Sequence, residues 1–157
     1  HYETREVIPD ELITKIQNQG TFNQGFMTTE LLAAALLDME LHNLTDTENL
    51  NVVAFEKETM DKLGLIPEIA PRYRATYFSH IIGGYAAGYY SYLWAEVLDT
   101  DAFEAFKEHG VFDKNTADSF RKNILEKGGT EDPMTLYRGF RGADPSLEPL
   151  LKNRGLK

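Results

Sequence analysis

Cysteine is absent from this 157-residue chain. That excludes a disulfide scaffold, a thiol nucleophile and any thiolate-bound metal. Basic residues are scarce: 16 Lys and Arg against 25 Asp and Glu leave a formal charge of −9 and a pI near 4.9. A nucleic-acid binder takes its affinity from clustered Lys and Arg, so no nucleic-acid partner is expected. No apolar run reaches the roughly 18 residues of a spanning helix, and no signal peptide is expected at the start, which argues against a membrane partner. Internal repeats, low-complexity tracts and linkers are lacking as well. What is there has a globular composition, 42% hydrophobic and 26% charged. A chain of this length can bury roughly 70% of its unfolded surface. It opens on His1 instead of Met, so a tag or a cleaved fragment is expected.

The charge is unevenly spread. Residues 1–70 carry 13 acids and 4 bases, which accounts for the whole −9, while residues 71–157 carry 12 of each. Between Pro71 and Ala95 the only formal charges are Arg72 and Arg74. A buried segment would read this way, and so would a neutral to slightly positive wall able to accept the carbonyls or carboxylate of a ligand.

The pattern is helical nearly throughout, and the expected fold class is all-α. Pro9 and two acids open a helix over Asp10–Gln19, stopped at Gly20. Thr28 or Thr29 is expected to cap a long helix with Leu31, Leu32, Ala35, Leu36, Met39 and Leu41 as its core-facing stripe. A helix over Val52–Leu63 turns Val52, Phe55, Met60 and Leu63 inward and ends at Gly64. Arg74–Ile82 reads as a short strand or an extended lead-in, and Tyr85–Leu98 as a helix. Further helices are expected over Ala117–Lys127, closed by Gly128-Gly129, over Met134–Phe140 and over Ser146–Asn153. The prolines, at 9, 67, 71, 133, 145 and 149, lie outside the long helices.

Complete catalytic signatures are missing. None of His1, His42, His80 and His109 stands three or four residues from another, so no helical zinc pair exists and no metal ligand is expected. His42 reads as a solvated helix end near acids, and His109 beside Gly110 as a C-terminal helix cap. There is no Gly-x-Ser-x-Gly elbow and no phosphate-binding loop.

Six of the eight tyrosines fall in one stretch: Tyr73, Tyr77, Tyr85, Tyr89, Tyr90 and Tyr92. On a helix, Tyr85, Tyr89 and Tyr92 would share a face, with Tyr85 and Tyr92 about 10 Å apart along the axis. Gly83 and Gly84 precede them, and Gly88 lies among them. Two readings stay open. One is an aromatic packing stripe whose hydroxyls are satisfied by carbonyls. The other is a hydrogen-bonding wall of phenols and an imidazole beside a loop that admits a ligand closely. The pattern alone favours packing, but the glycines, which leave space instead of filling it, count against a pure packing role.

The string from His80 to Phe103, HIIGGYAAGYYSYLWAEVLDTDAF, resembles the thimet-oligopeptidase and neurolysin family of zinc metallopeptidases, whose bacterial members include peptidyl-dipeptidase and oligopeptidase A. The likeness extends through Ile124 to Leu156 and to the opening segments, so it covers essentially the whole chain. It implies that residues 1–157 form a single helical segment, the C-terminal portion of a larger peptidase catalytic domain. Tyr92 then matches the tyrosine that stabilises the oxyanion of the tetrahedral intermediate, and His80 the histidine that contacts the substrate backbone beside it. Tyr85 and Tyr89 match peptide-binding positions, and Gly83, Gly84 and Gly88 let the loop close over substrate.

The family's zinc-binding His-Glu-x-x-His helix and further glutamate lie upstream and are not found between His1 and Lys157. Zinc is therefore expected in the full-length parent and not in this chain, which alone should cleave nothing. Short peptides are the expected substrates and the upstream half of the polypeptide the expected partner. An isolated segment, with apolar faces left bare, could dimerise. Arg72 and Arg74 read either as attracting a free substrate carboxylate or as solvated residues of the connector; family similarity, more than any residue, favours a peptidyl-dipeptidase over an endo-acting oligopeptidase. A non-catalytic helical module that binds a peptide or partner is the remaining alternative. The lack of cysteine fits a cytoplasmic enzyme.

Overall fold

A computed structural model describes residues 1–157, and every regular element in it is helical. The residues group into two compact units, His1–Trp94 and Ala95–Lys157.

In the first unit, α1 (Asp10–Thr21) follows Pro9, has Asp10 and Glu11 in its first turn, and buries no residue. Gly20 does not stop it. The chain leaves the helix at Phe22, whose N–H still bonds to Gln19. α2 (Gln24–His42) starts earlier than the Thr28 or Thr29 cap predicts. Asn23 takes a left-handed conformation (φ 57°), a turn asparagine tolerates, and re-aims the chain there. Thr29 lies inside the helix, its hydroxyl donating back to the Gly25 carbonyl at 2.8 Å.

The buried side of α2 also differs from the predicted stripe. Ala33, Ala34, Ala35, Leu37 and Asp38 are buried, whereas Leu32, Leu36 and Met39 line an exposed side. Three consecutive alanines sweep most of the helix circumference, so close packing reaches around this short-side-chain stretch and not along one leucine row. Leu31 and Leu41 do pack on the core, which consists of Ala34, Ala35, Phe78, Ile81 and Tyr89.

α3 (Val52–Lys62) is capped by the Asn51 side chain, which accepts the Ala54 N–H at 3.1 Å. Gly64, at φ 66°, provides its left-handed exit. Its buried residues are Glu56 and Thr59, not the predicted apolar four; Leu63 is exposed. Glu56 is inward because it binds the connector that follows. Its carboxylate accepts the Ala75 N–H at 2.7 Å and pairs with Arg74 Nε at 2.7 Å.

No strand forms over 74–82. Two single 3-10 turns, Ala75–Tyr77 and Ser79–Ile82, satisfy the amides locally, with Tyr77 N–H bonding to Arg74 and Ile81 N–H to Phe78. With no other strand in the chain to pair with, an extended segment would have left these groups without partners.

In the second unit lies the body of α4 (Ser91–His109), which buries Val97, Asp101, Ala102 and Ala105. His109 ends it as expected, its Nδ1 at 2.9 Å from the Ala105 carbonyl. α5 (Lys114–Phe120) is capped by Asp113 and passes into one wider π turn, Arg121–Leu125, before Gly128 at φ 53°. α6 (Pro133–Arg141) is capped by Asp132 and ends at Gly142, and α7 (Glu148–Asn153) follows. Phe106, Phe120 and Phe140 pack ring to ring at 5.2–6.2 Å. Buried Asp101 accepts the Tyr137 hydroxyl at 2.5 Å, and Arg141 grips Glu108 through both terminal nitrogens at 3.0 and 2.7 Å. Arg154 pairs with Glu96. These polar ties join α4 to α6 and to the turn after α7.

Candidate functional site

The site is built on residues 73–92, and its geometry departs from the predicted helix. Regular α-helix starts only at Ser91, and residues 83–90 form a chain of tight turns. Ala86 N–H bonds to Gly83, Gly88 N–H to Tyr85 and Ser91 N–H to Gly88. The left-handed residue in this loop is Ala87, at φ 50°, and none of the three glycines. A left-handed alanine cannot continue a right-handed helix, so the turns persist until Ser91. Gly83 and Gly84 face open space where a Cβ would stand, and a Cβ at Gly88 would meet only the Tyr85 backbone at 3.5 Å.

The turns still bring the predicted side chains together. The Tyr85 and Tyr92 rings stack at 5.1 Å and 23°, far closer than two residues seven apart on a helix face. The Tyr89 ring meets Tyr92 edge-on at 5.1 Å, and His80 lies 5.5 Å from Tyr89, 6.2 Å from Tyr85 and 6.4 Å from Tyr92. Tyr73 closes the back of the cluster at 4.8 Å from His80. Tyr85 and Tyr92 are each 41% exposed and form the outward surface, whereas Tyr89, at 3%, belongs to the core behind them. His80 is half-buried, and its Nδ1 is sealed from solvent with no hydrogen-bond partner.

The hydrogen bond with Tyr85, followed by desolvation, pushes the Tyr92 phenol up to about 12. Tyr89 is raised as well, chiefly by burial. Both phenols therefore stay protonated at neutral pH, which is the form that donates a hydrogen bond. Arg74, a candidate to attract a carboxylate, is engaged by buried Glu56, while Arg72 is exposed.

Two functional candidates went unnoticed in the sequence. Asp38 is fully buried, and its two oxygens accept the Ala87 N–H at 3.0 Å and the Tyr89 N–H at 2.9 Å. His42, the exposed last residue of α2, is its neighbour: Nδ1 stands 2.9 Å from an Asp38 carboxylate oxygen and 2.9 Å from the Asp38 carbonyl. The signal was an acid interrupting the apolar run Leu36-Leu37-Asp38-Met39. Glu56 is the second, a buried acid that fixes the start of the connector.

Residues 1–156 match the model of peptidase family M3. The chain belongs to peptidase family M3. Among its relatives in that family is a dipeptidyl carboxypeptidase of Escherichia coli, 44% identical over 163 residues, an alignment covering 99% of this chain and 23% of the relative. Oligopeptidase A of the same organism is 39% identical, with 100% of this chain and 23% of the relative covered. Saccharolysin of Saccharomyces cerevisiae is 31% identical, with 100% and 22% covered. This M3 chain thus spans about a quarter of the length of the curated relatives it matches. No group of three or more His, Asp or Glu side chains in it is arranged to hold a metal ion. The donor set that zinc requires has no counterpart among these residues.

Proposed function

We propose that this M3 segment is the substrate-facing C-terminal part of a zinc metallopeptidase that hydrolyses short peptides and releases C-terminal dipeptides. The observation that carries the reading is the exposed stack of Tyr85 and Tyr92 beside His80. Attack on a scissile carbonyl places negative charge on its oxygen. A preorganised donor aimed at that oxygen lowers the barrier because the charge develops only in the transition state. The Tyr92 phenol is a neutral donor with a strongly held proton, and Tyr85 and His80 hold the peptide backbone alongside it. The metal and its ligands belong to the part of the parent enzyme outside residues 1–157.

Release of dipeptides is favoured over internal cleavage by two features. The dipeptidyl carboxypeptidase of Escherichia coli is somewhat more similar than oligopeptidase A of the same organism, at 44% against 39% identity. Exposed Arg72, whose charge reaches Tyr89, supplies positive charge for a free C-terminal carboxylate.

Tyr92→Phe in the complete polypeptide tests the reading. It keeps the ring and removes the hydroxyl, and should lower kcat by roughly a hundred- to a thousandfold with little change in KM. C-terminal amidation of the substrate should abolish cleavage. Unchanged turnover in Tyr92→Phe would reduce the cluster to packing or simple peptide binding. Cleavage that survives amidation would assign the endo-acting alternative.

A further inference from the structure

We propose that Asp38 is a positioning residue that sets the Tyr92 phenol by clamping the loop before it; this rests on the peptidase reading above. Burial of a carboxylate with no exposed surface is unfavourable unless its lone pairs are engaged. Both amide partners of the Asp38 carboxylate lie in one loop. Oδ1 accepts the Ala87 N–H and Oδ2 the Tyr89 N–H, from 49 and 51 residues further along the chain. His42, one turn on, lies against the same carboxylate, its Nδ1 2.9 Å from Oδ1 and 2.9 Å from the Asp38 backbone carbonyl. Each of the two carboxylate oxygens is thus engaged by an amide of the loop.

The clamp straddles Gly88, the most permissive residue of the loop, and holds the peptide groups on either side of it. It also holds Ala87 in the left-handed conformation, which a non-glycine residue keeps only where its surroundings enforce it. The next hydrogen bonds start α4: Ser91 N–H to Gly88 and Tyr92 N–H to Tyr89. Asp38 thereby fixes the first turn that carries Tyr92, without touching the phenol.

Asp38→Asn keeps the shape but turns one acceptor into an NH2 group facing an N–H donor. In the complete polypeptide we expect kcat to fall at least tenfold, with KM within about twofold of wild type, the split of a residue acting on the transition state alone. In a Tyr92→Phe background the same change should alter kcat by less than about twofold, because the group it positions is gone. Undiminished kcat in a folded Asp38→Asn protein, or losses that multiply in the double variant, would overturn the proposal. Unchanged turnover in Tyr92→Phe alone would instead overturn the peptidase reading, and the positioning role with it. Two arms stand should Asp38→Asn not fold. His42→Ala should give a milder loss of kcat, also absent in the Tyr92→Phe background. In wild-type protein the Ala87 and Tyr89 amides should exchange at least a hundredfold more slowly than an unclamped turn amide, and equal rates would overturn the clamp.

Discussion

Removing the Tyr85 hydroxyl should release the Tyr92 proton. The perturbation is clean, because Tyr85→Phe preserves a ring that already stacks on Tyr92 at 5.1 Å and deletes only the oxygen. The hydrogen bond between the two phenols is the largest cause of the rise from 10.0 to about 12, ahead of desolvation. At pH 11, a phenol of pKa about 12 is roughly one-tenth ionised, and one near 10 roughly nine-tenths. The variant should therefore move Tyr92 from mostly protonated to mostly ionised at that pH, less whatever desolvation retains. The Cζ resonance of Tyr92 in protein labelled with [ζ-13C]tyrosine, assigned through its loss in Tyr92→Phe, reads this directly. A midpoint that stays near 12 in Tyr85→Phe would refute the hydrogen bond as the cause. A wild-type midpoint near 10 would refute the raised pKa itself. The sign matters for chemistry: a raised phenol remains a donor across the neutral range, so Tyr92 should impose no alkaline fall in rate below about pH 11.

Two further outcomes concern stability. Phe78 is 1% exposed at the centre of the first unit's core, and Phe78→Ala should cost about 3–5 kcal/mol in denaturant unfolding; a loss under about 1 kcal/mol would refute its place there. Asp113 and Asp132 are held below their ordinary 3.8 mainly by the Thr116 and Thr135 N–H groups they cap. A lowered carboxylate stabilises the fold above its unfolded pKa, and that contribution vanishes as pH falls through the folded value. Melting of the Asp113→Asn/Asp132→Asn protein should accordingly depend less on pH below about 4 than wild type. Glu108, Asp118 and Glu148 are lowered in the same sense and keep the flattening partial. Equal acid sensitivity in the two proteins would refute the capping account.

The sequence carried helix identity well where local chemistry decides it. Gly64, Gly128 and the Asp132-Pro133 start all act at the places their residue types imply, because a cap needs only its own neighbours. The all-α class followed from the same local signals. The aromatic cluster was legible as a grouping, and Tyr85, Tyr92 and His80 do converge. Its backbone was not legible. The i, i+4, i+7 spacing suggested a helix, yet the left-handed turn at Ala87 depends on a carboxylate nearly fifty residues away. Periodicity has no access to a contact of that separation. The same limit hid Asp38 and Glu56. An acid is ordinarily assigned to solvent, and only the tertiary structure reveals the amide groups that make burial tolerable.

The left-handed alanine has an evolutionary corollary. At position 87 the admissible alphabet is narrow: glycine or asparagine can replace alanine while preserving the turn. Valine, isoleucine or threonine cannot, since branching at Cβ collides with the backbone at positive φ. Drift at this site should therefore run along a short list of residue types, even though its side chain does no chemistry of its own.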